Sequence, residues 1–263
     1  TLPKEGEIDL RKDAGKVQEV ADKYNFAEMT GDRAILQLRW ATFGAPSKTN
    51  SQPHLDSYGD LVGAHNGNVV NNVQLRELFI REGLTVRGTN DGETCVHAVE
   101  RHFDRNGGDM LAAIRAAYDD LEGDYAFVIT HQDDHRLFAI KKGSGLVAGL
   151  SDGLTCVSSD LPSILPLTRR ILRIQDGEIV VLSPEMVELY SVQDGMRIER
   201  DGLSRLQVDV QAIPIGEVGN QGAQQVHVVV GAGDVVAAAE VDPIHLFDEF
   251  TKLVFDCGKC SRQ

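Results

Sequence analysis

The chain has 263 residues, 42% of them hydrophobic, enough to bury a real core in one large domain or in one domain with an appendage. Lys and Arg number 26 against 40 Asp and Glu, and the resulting formal charge of -14 argues against nucleic acid or an anionic membrane as partner and favours small molecules. Four Cys at uneven spacing, no positively headed apolar leader and no apolar run of about 18 residues fit a reduced, cytoplasmic setting without a membrane span.

In chain order, "IDLRKDAGKVQEVADKYNF" predicts a short strand followed by a helix around Val17 to Tyr24. "RAILQLRWATFG" is an alternating apolar strand that leads into Arg39, Trp40 and Thr42, with a turn at "GAPSKTNSQPH". "GDLVGAHNGNVVNNVQLRELF" carries Asn66-Gly67 at the end of an apolar strand. A hairpin would continue into a second alternating strand. Here Asn71 or Asn72 can instead cap a helix with Val73, Leu75, Leu78 and Phe79 on one side, so the chain is expected to bend at Asn66-Gly67. A side-chain amide next to a glycine N–H suits an oxyanion hole.

"TNDGETCVHAVERHFDR" predicts a helix capped by Asn90 or Asp91, with Val96, Val99 and Phe103 on one face, and "DMLAAIRAAYDDL" predicts another. The stretch from Asp124 to Asp160 reads as three short strands, and "RRILRIQDGEIVVLSP" as a hairpin through Asp176-Gly177. Strands in runs, then helices, then strands again predict an α+β layered domain.

Six segments in order carry a resemblance: "LRWATFGAPSKTNSQPH", "AHNGNVVNNVQLRE", "TNDGETCVHAV", "LEGDYAFVI", "KKGSGLVAGL" and "SSDLPSILPLTRRILRIQDGEI". Together they resemble the class II glutamine amidotransferase domain of the glutamine–fructose-6-phosphate aminotransferase family, over Ile8 to about Ser183. The resemblance implies a four-layer αββα sandwich of the Ntn-hydrolase type, in residues 1–200, with 201–263 as an atypical tail. It implies release of ammonia from glutamine for amino-sugar synthesis, with Asn66 and the Gly67 N–H as oxyanion hole. Arg39 then clamps the substrate carboxylate and Asp91 accepts from its amino group, with Trp40 at the mouth of the site and Thr42 supplying a hydroxyl. Taken singly, Asn66-Gly67 reads as a turn, Arg39 as a surface ion pair and Asp91 as a helix cap.

The family nucleophile is an N-terminal Cys, whereas this sequence begins at Thr1, so the fold is expected to be incomplete at its N-terminus and the chain inactive as it stands. The alternative is a non-catalytic glutamine-binding or structural relative. Cys95 and Cys156 read as core residues rather than substitutes, and Phe43 stands where the family usually has His. His54, His65 and His97 match no zinc spacing and read as polar neighbours of the site or packed histidines; no metal or organic cofactor is expected, since a thiolate and hydrogen-bond donors suffice. In the tail, "VHVVVGAGDVV" has Val236 where a dinucleotide fingerprint needs its third Gly and reads as a strand and turn, and Cys257 and Cys260 read as a solvated end. The expected partners are glutamine and a sugar-phosphate synthase domain elsewhere; a homo-oligomer is compatible with the sequence.

Overall fold

Alternation of side chains along a nine-residue strand, Leu61–Val69 (β3), sets the layering of the molecule. Val62 and Ala64 point into one apolar core, Leu61 and Val69 into another. The structure, a computed structural model, describes residues 1–2, 6–38, 45–151, 153–165, 167–184 and 186–200, and the backbone of 225–231.

The larger sheet is antiparallel. Its order is β10-β9-β5-β4-β3-β2, from Met186–Ser191 (β10), Glu178–Ser183 (β9), Leu137–Lys142 (β5), Gly123–His131 (β4), β3 and His54–Leu55 (β2). The smaller sheet has the order β1-β11-β7-β6-β8, from Arg33–Leu38 (β1), Gln225–Gly231 (β11), Leu154–Ser158 (β7), Val147–Ser151 (β6) and Ile171–Arg173 (β8). Its pairs are also antiparallel. Ile35, Ala148, Leu150 and Val157 of the smaller sheet meet Val62, Ala126, Val128, Ala139, Val180 and Leu182 of the larger in one core. This is face-to-face sheet packing.

Helices complete the layers. Asn72–Arg81 (α2), Asp91–Phe103 (α3) and Met110–Asp120 (α4) cover the outer face of the larger sheet, where Phe79, Val99 and Ile114 pack on Tyr125, Phe127 and Phe138. Leu161–Ile164 (α5) packs Ile164 on Ala34, Leu154 and Cys156 on the outer face of the smaller sheet. The order helix, sheet, sheet, helix is the expected αββα sandwich. Val17–Lys23 (α1) forms where the sequence predicts it. Among the described residues, no helix is long and apolar enough to cross a membrane.

Several local expectations are corrected. Residues 7–13 form no strand: among the described residues, this charged segment makes no ladder beyond the two bonds that Asp9 exchanges with Thr1 (2.9 and 3.1 Å). The chain does not bend at Asn66-Gly67, which pair with Ala126 and Tyr125 in mid-ladder, and the turn comes after Val69. Val73 faces solvent at 52% exposure, since the buried stripe of α2 runs through Asn72, Leu75 and Phe79. The stretch after Asp124 holds four strands rather than three.

The Asp176-Gly177 hairpin is also absent: β8 lies in the smaller sheet and β9 in the larger, so the chain crosses between sheets there. Asp176 is engaged elsewhere, by Lys141 Nζ at 2.6 Å and by the Gly143 N–H at 3.1 Å. β9 forms its hairpin with β10 instead. The strand expected in "VHVVVGAGDVV" is β11, which lies beyond residue 200 and is hydrogen-bonded between β1 and β7. The turn after it, Val236, Cys257 and Cys260 lie outside the described residues.

Candidate active site

The C-terminal half of β3 and the N-terminus of α3 meet here. α3 starts at Asp91 because Asn90, in extended conformation, accepts from the Gly92 N–H through its side chain at 3.0 Å. The first helical residue, Asp91, is 1% exposed, and its Oδ2 accepts from the Val69 N–H of β3 at 3.1 Å. The same oxygen lies 3.4 Å from His65 Nε2. Asp91 is therefore not the helix cap; it ties the helix end to the strand that carries Asn66 and Gly67.

Asn66 and Gly67 lie on opposite faces of β3. Asn66 follows Val62 and Ala64 on the inter-sheet face, where its Nδ2 donates to Ser159 Oγ, just past β7, at 3.0 Å. Gly67 adopts φ +109°, and a Cβ there would collide with the Asp124 carbonyl and with Ser144 Oγ. Only glycine fits that backbone position. Arg39, Trp40 and Thr42, with Phe43, lie outside the described residues. The structure thus brings Asn66, Gly67 and Asp91 to one end of β3.

Polar side chains that the sequence reading passed over hold this end together. Asn50 donates through Nδ2 to the Ala45 carbonyl (3.0 Å) and accepts from the Thr89 N–H (2.8 Å), fastening the segment after residue 44 to the residues before α3. Lys12 Nζ donates to the carbonyls of Ser51 (2.6 Å) and Pro53 (2.9 Å). Burial pushes Lys12 down to about 8, against the pull of Glu93. Glu93 accepts from the backbone N–H groups of Arg87 (2.7 Å) and Gly88 (2.6 Å). Burial works to raise its pKa, but the nearby His97 (3.7 Å) and hydrogen bonds from these amides bring it down to about 2.

The histidines are packed polar neighbours. Burial, helped by Lys12, pushes His54 down to about 3, and the neutral ring donates from Nε2 to Asn90 Oδ1 at 3.0 Å. His97 lies between Glu100 (2.6 Å) and Glu93 (3.7 Å); burial lowers its pKa, but the two carboxylates outweigh this and raise it. Among the described residues, no group of three or more His, Cys, Asp or Glu could hold a metal ion. Cys95 and Cys156 are buried and free, as expected for core residues. Burial raises both thiols, Cys156 to about 12, which keeps them protonated.

All of this geometry but Lys12 falls within a match to a known domain. Residues 38–165 match the family model described as "Glutamine amidotransferase domain", and the chain carries a class II glutamine amidotransferase domain. It resembles the N-terminal region of "Glutamine--fructose-6-phosphate aminotransferase [isomerizing]". The Aquifex aeolicus protein of that name is 34% identical over 193 residues, 73% of this chain and 32% of the relative. The Sulfurisphaera tokodaii protein is 37% identical over 182 residues, 69% of this chain and 31% of the relative. The chain spans about a third of the length of these curated relatives. Among solved structures, the glutamine phosphoribosylpyrophosphate amidotransferase of B. subtilis aligns with a TM-score of 0.49 at 24% identity, over 59% of this chain and 34% of that one.

Proposed function

We propose that this domain is the glutaminase half of an amidotransferase, hydrolysing the side-chain amide of glutamine to glutamate and ammonia for glucosamine 6-phosphate synthesis. One observation carries the reading: the Val69 N–H to Asp91 Oδ2 bond of 3.1 Å, which draws an acidic residue of α3 to the strand bearing Asn66 and Gly67. In this reading the amide carbonyl becomes an oxyanion facing the Asn66 amide and the Gly67 N–H, while Asp91 and Arg39 hold the amino and carboxylate ends of the substrate. Both ends must be held so that the amide carbon meets the nucleophile in one orientation. The nucleophile is an N-terminal Cys thiolate; the buried, protonated thiols of Cys95 and Cys156 are unsuited to that role. A sugar-phosphate synthase domain takes up the ammonia.

The test is Asn66→Ala in the protein bearing its nucleophile, with kcat, KM and melting temperature measured together. Loss of one oxyanion donor is expected to lower kcat about a hundredfold with little change in KM, since that bond strengthens only in the transition state. A variant that melts early but keeps its kcat per folded molecule would remove Asn66 from the oxyanion hole. Arg39→Lys is expected to weaken glutamine binding, because an ammonium cannot reproduce the planar fork of a guanidinium.

A further inference from the structure

β2 is only two residues long, and a side chain takes over just before it. His54 pairs with Gly63 and Leu55 with Val62, so continuing the ladder backwards would set Pro53 against Ala64 and Gln52 against His65. Pro53 stands at a non-hydrogen-bonded position opposite Ala64, and the next rung, Gln52 backbone against His65, is not made. The edge of β3 at His65 is not left open, however. The His65 N–H donates to Gln52 Oε1 at 2.7 Å, and Gln52 Nε2 donates to the His65 carbonyl at 3.0 Å. A carboxamide has the donor and acceptor of a peptide group, and here it makes the two bonds a backbone partner would have made.

The carbonyl held in this way belongs to the peptide joining His65 to Asn66. Gln52 is 4% exposed, and the carbonyls on either side of it, those of Ser51 and Pro53, are both bound by Lys12. On its other flank lies Gly92, where a Cβ would come within 2.5 Å of Gln52 Oε1. The absence of a side chain in the first turn of α3 is what leaves room for the carboxamide. The amide is therefore fixed on both sides and aimed at the backbone of one residue, His65, where it holds the carbonyl of the His65–Asn66 peptide.

We infer that Gln52 is a positioning residue for amide hydrolysis, its carboxamide fixing the His65–Asn66 peptide so that the Asn66 side chain and the Gly67 N–H are aligned before substrate arrives. The inference rests on the glutaminase reading above and adds to it a residue that touches neither substrate nor nucleophile. Preorganised donors cost no rearrangement as charge develops, so the effect falls on kcat rather than on KM.

Gln52→Glu tests this with nearly the same shape. A protonated glutamic acid keeps one donor and one acceptor and can replace the amide; an ionised one turns an acceptor toward the His65 carbonyl. Burial raises a carboxyl pKa, so both forms are reachable. In the full-length protein, kcat of Gln52→Glu relative to the unsubstituted enzyme is expected to fall about tenfold as pH rises through that titration, with KM steady. Gln52→Ala is expected to be low at every pH, and hydrogen exchange of the His65 amide to speed up in step with each loss. Glutamine hydrolysis per folded molecule unaltered by either substitution, or a kcat loss in Gln52→Glu that ignores pH, overturns the positioning role alone. Absence of glutamine hydrolysis in the unsubstituted full-length protein overturns the glutaminase reading, and this inference with it.

Discussion

Helices α3 and α4 pack side by side on the same sheet yet are built on opposite rules. α4 fully buries only Met110, Ala113, Ile114 and Ala117, one apolar stripe; its other residues are half-buried, and Asp119 is exposed. α3 is buried on every side from Asp91 to Glu100, and that length includes Asp91, Glu93, Thr94, His97 and Glu100. Burying charge is costly unless each group is paired. On α3 the carboxylates are paired with backbone: Glu93 with the amides of residues 87 and 88, Glu100 with that of Ser57 (3.1 Å), Asp91 with that of Val69. α4 supplies apolar cover, whereas α3 fastens three pieces of backbone around the candidate site.

Substitution at the polar helix should sharpen this contrast most. Glu93→Ala removes the acceptor of two backbone amides, that of Gly88 buried, and a charged neighbour of His97, and is expected to cost about 3–5 kcal/mol in urea unfolding. A cost below about 1 kcal/mol would mean that the carboxylate is incidental. On α4, Ile114→Ala removes a fully buried side chain and is expected to cost about 3 kcal/mol by the same measurement. The two losses should differ in kind: Glu93→Ala should also speed hydrogen exchange at Arg87 and Gly88, and Ile114→Ala should not.

The polar helix should also answer to pH where the apolar one is silent. The folded pKa of His97 is raised by Glu100 and Glu93 despite burial. The stability it adds is thus fully present below the unfolded value of about 6.5 and is lost as pH rises through the folded pKa. The stability gap between the unsubstituted protein and His97→Gln should narrow over that rise, while the gap for Ile114→Ala stays level. His54 works in the opposite direction: with a folded pKa near 3, it costs stability as pH falls from about 6.5 toward 3. The smallest expected effect is Asp109→Ala, which removes the α4 cap bond to the Ala112 N–H (3.1 Å) and should cost about 1 kcal/mol in a thermal melt.

Both helices are legible in the sequence, because caps and stripes are local, but the contrast between them is not: each shows a single apolar face in the sequence. Asn90 before Asp91, and the run from Asp109 through Ile114, fix both helices within a residue or so. The Asn66-Gly67 dipeptide marks the candidate site, but its usual meaning as a bend failed. A long ladder with β4 holds the strand straight through Gly67, and that partner is more than fifty residues away. The Asp176-Gly177 hairpin failed for a related reason. Turn chemistry names a bend without saying which sheet the next strand joins, and here Lys141 and Gly143 claim the Asp176 carboxylate. Gln52 was missed because a glutamine beside a proline shows nothing of its role until β3 is laid against it.

The place of β11 bears on how the molecule comes into being. In the smaller sheet β1 and β7 do not pair with each other; the last described strand in the sequence separates them. During synthesis both edges therefore wait, open, until residues 225–231 leave the ribosome. Strand pairing across so long a stretch of chain is slow, and open edges invite other chains. A nascent chain stalled at residue 200 is expected to associate and to bind holdase chaperones, whereas one stalled well beyond residue 231 should not, a difference that light scattering and chaperone pull-down on arrested chains would reveal.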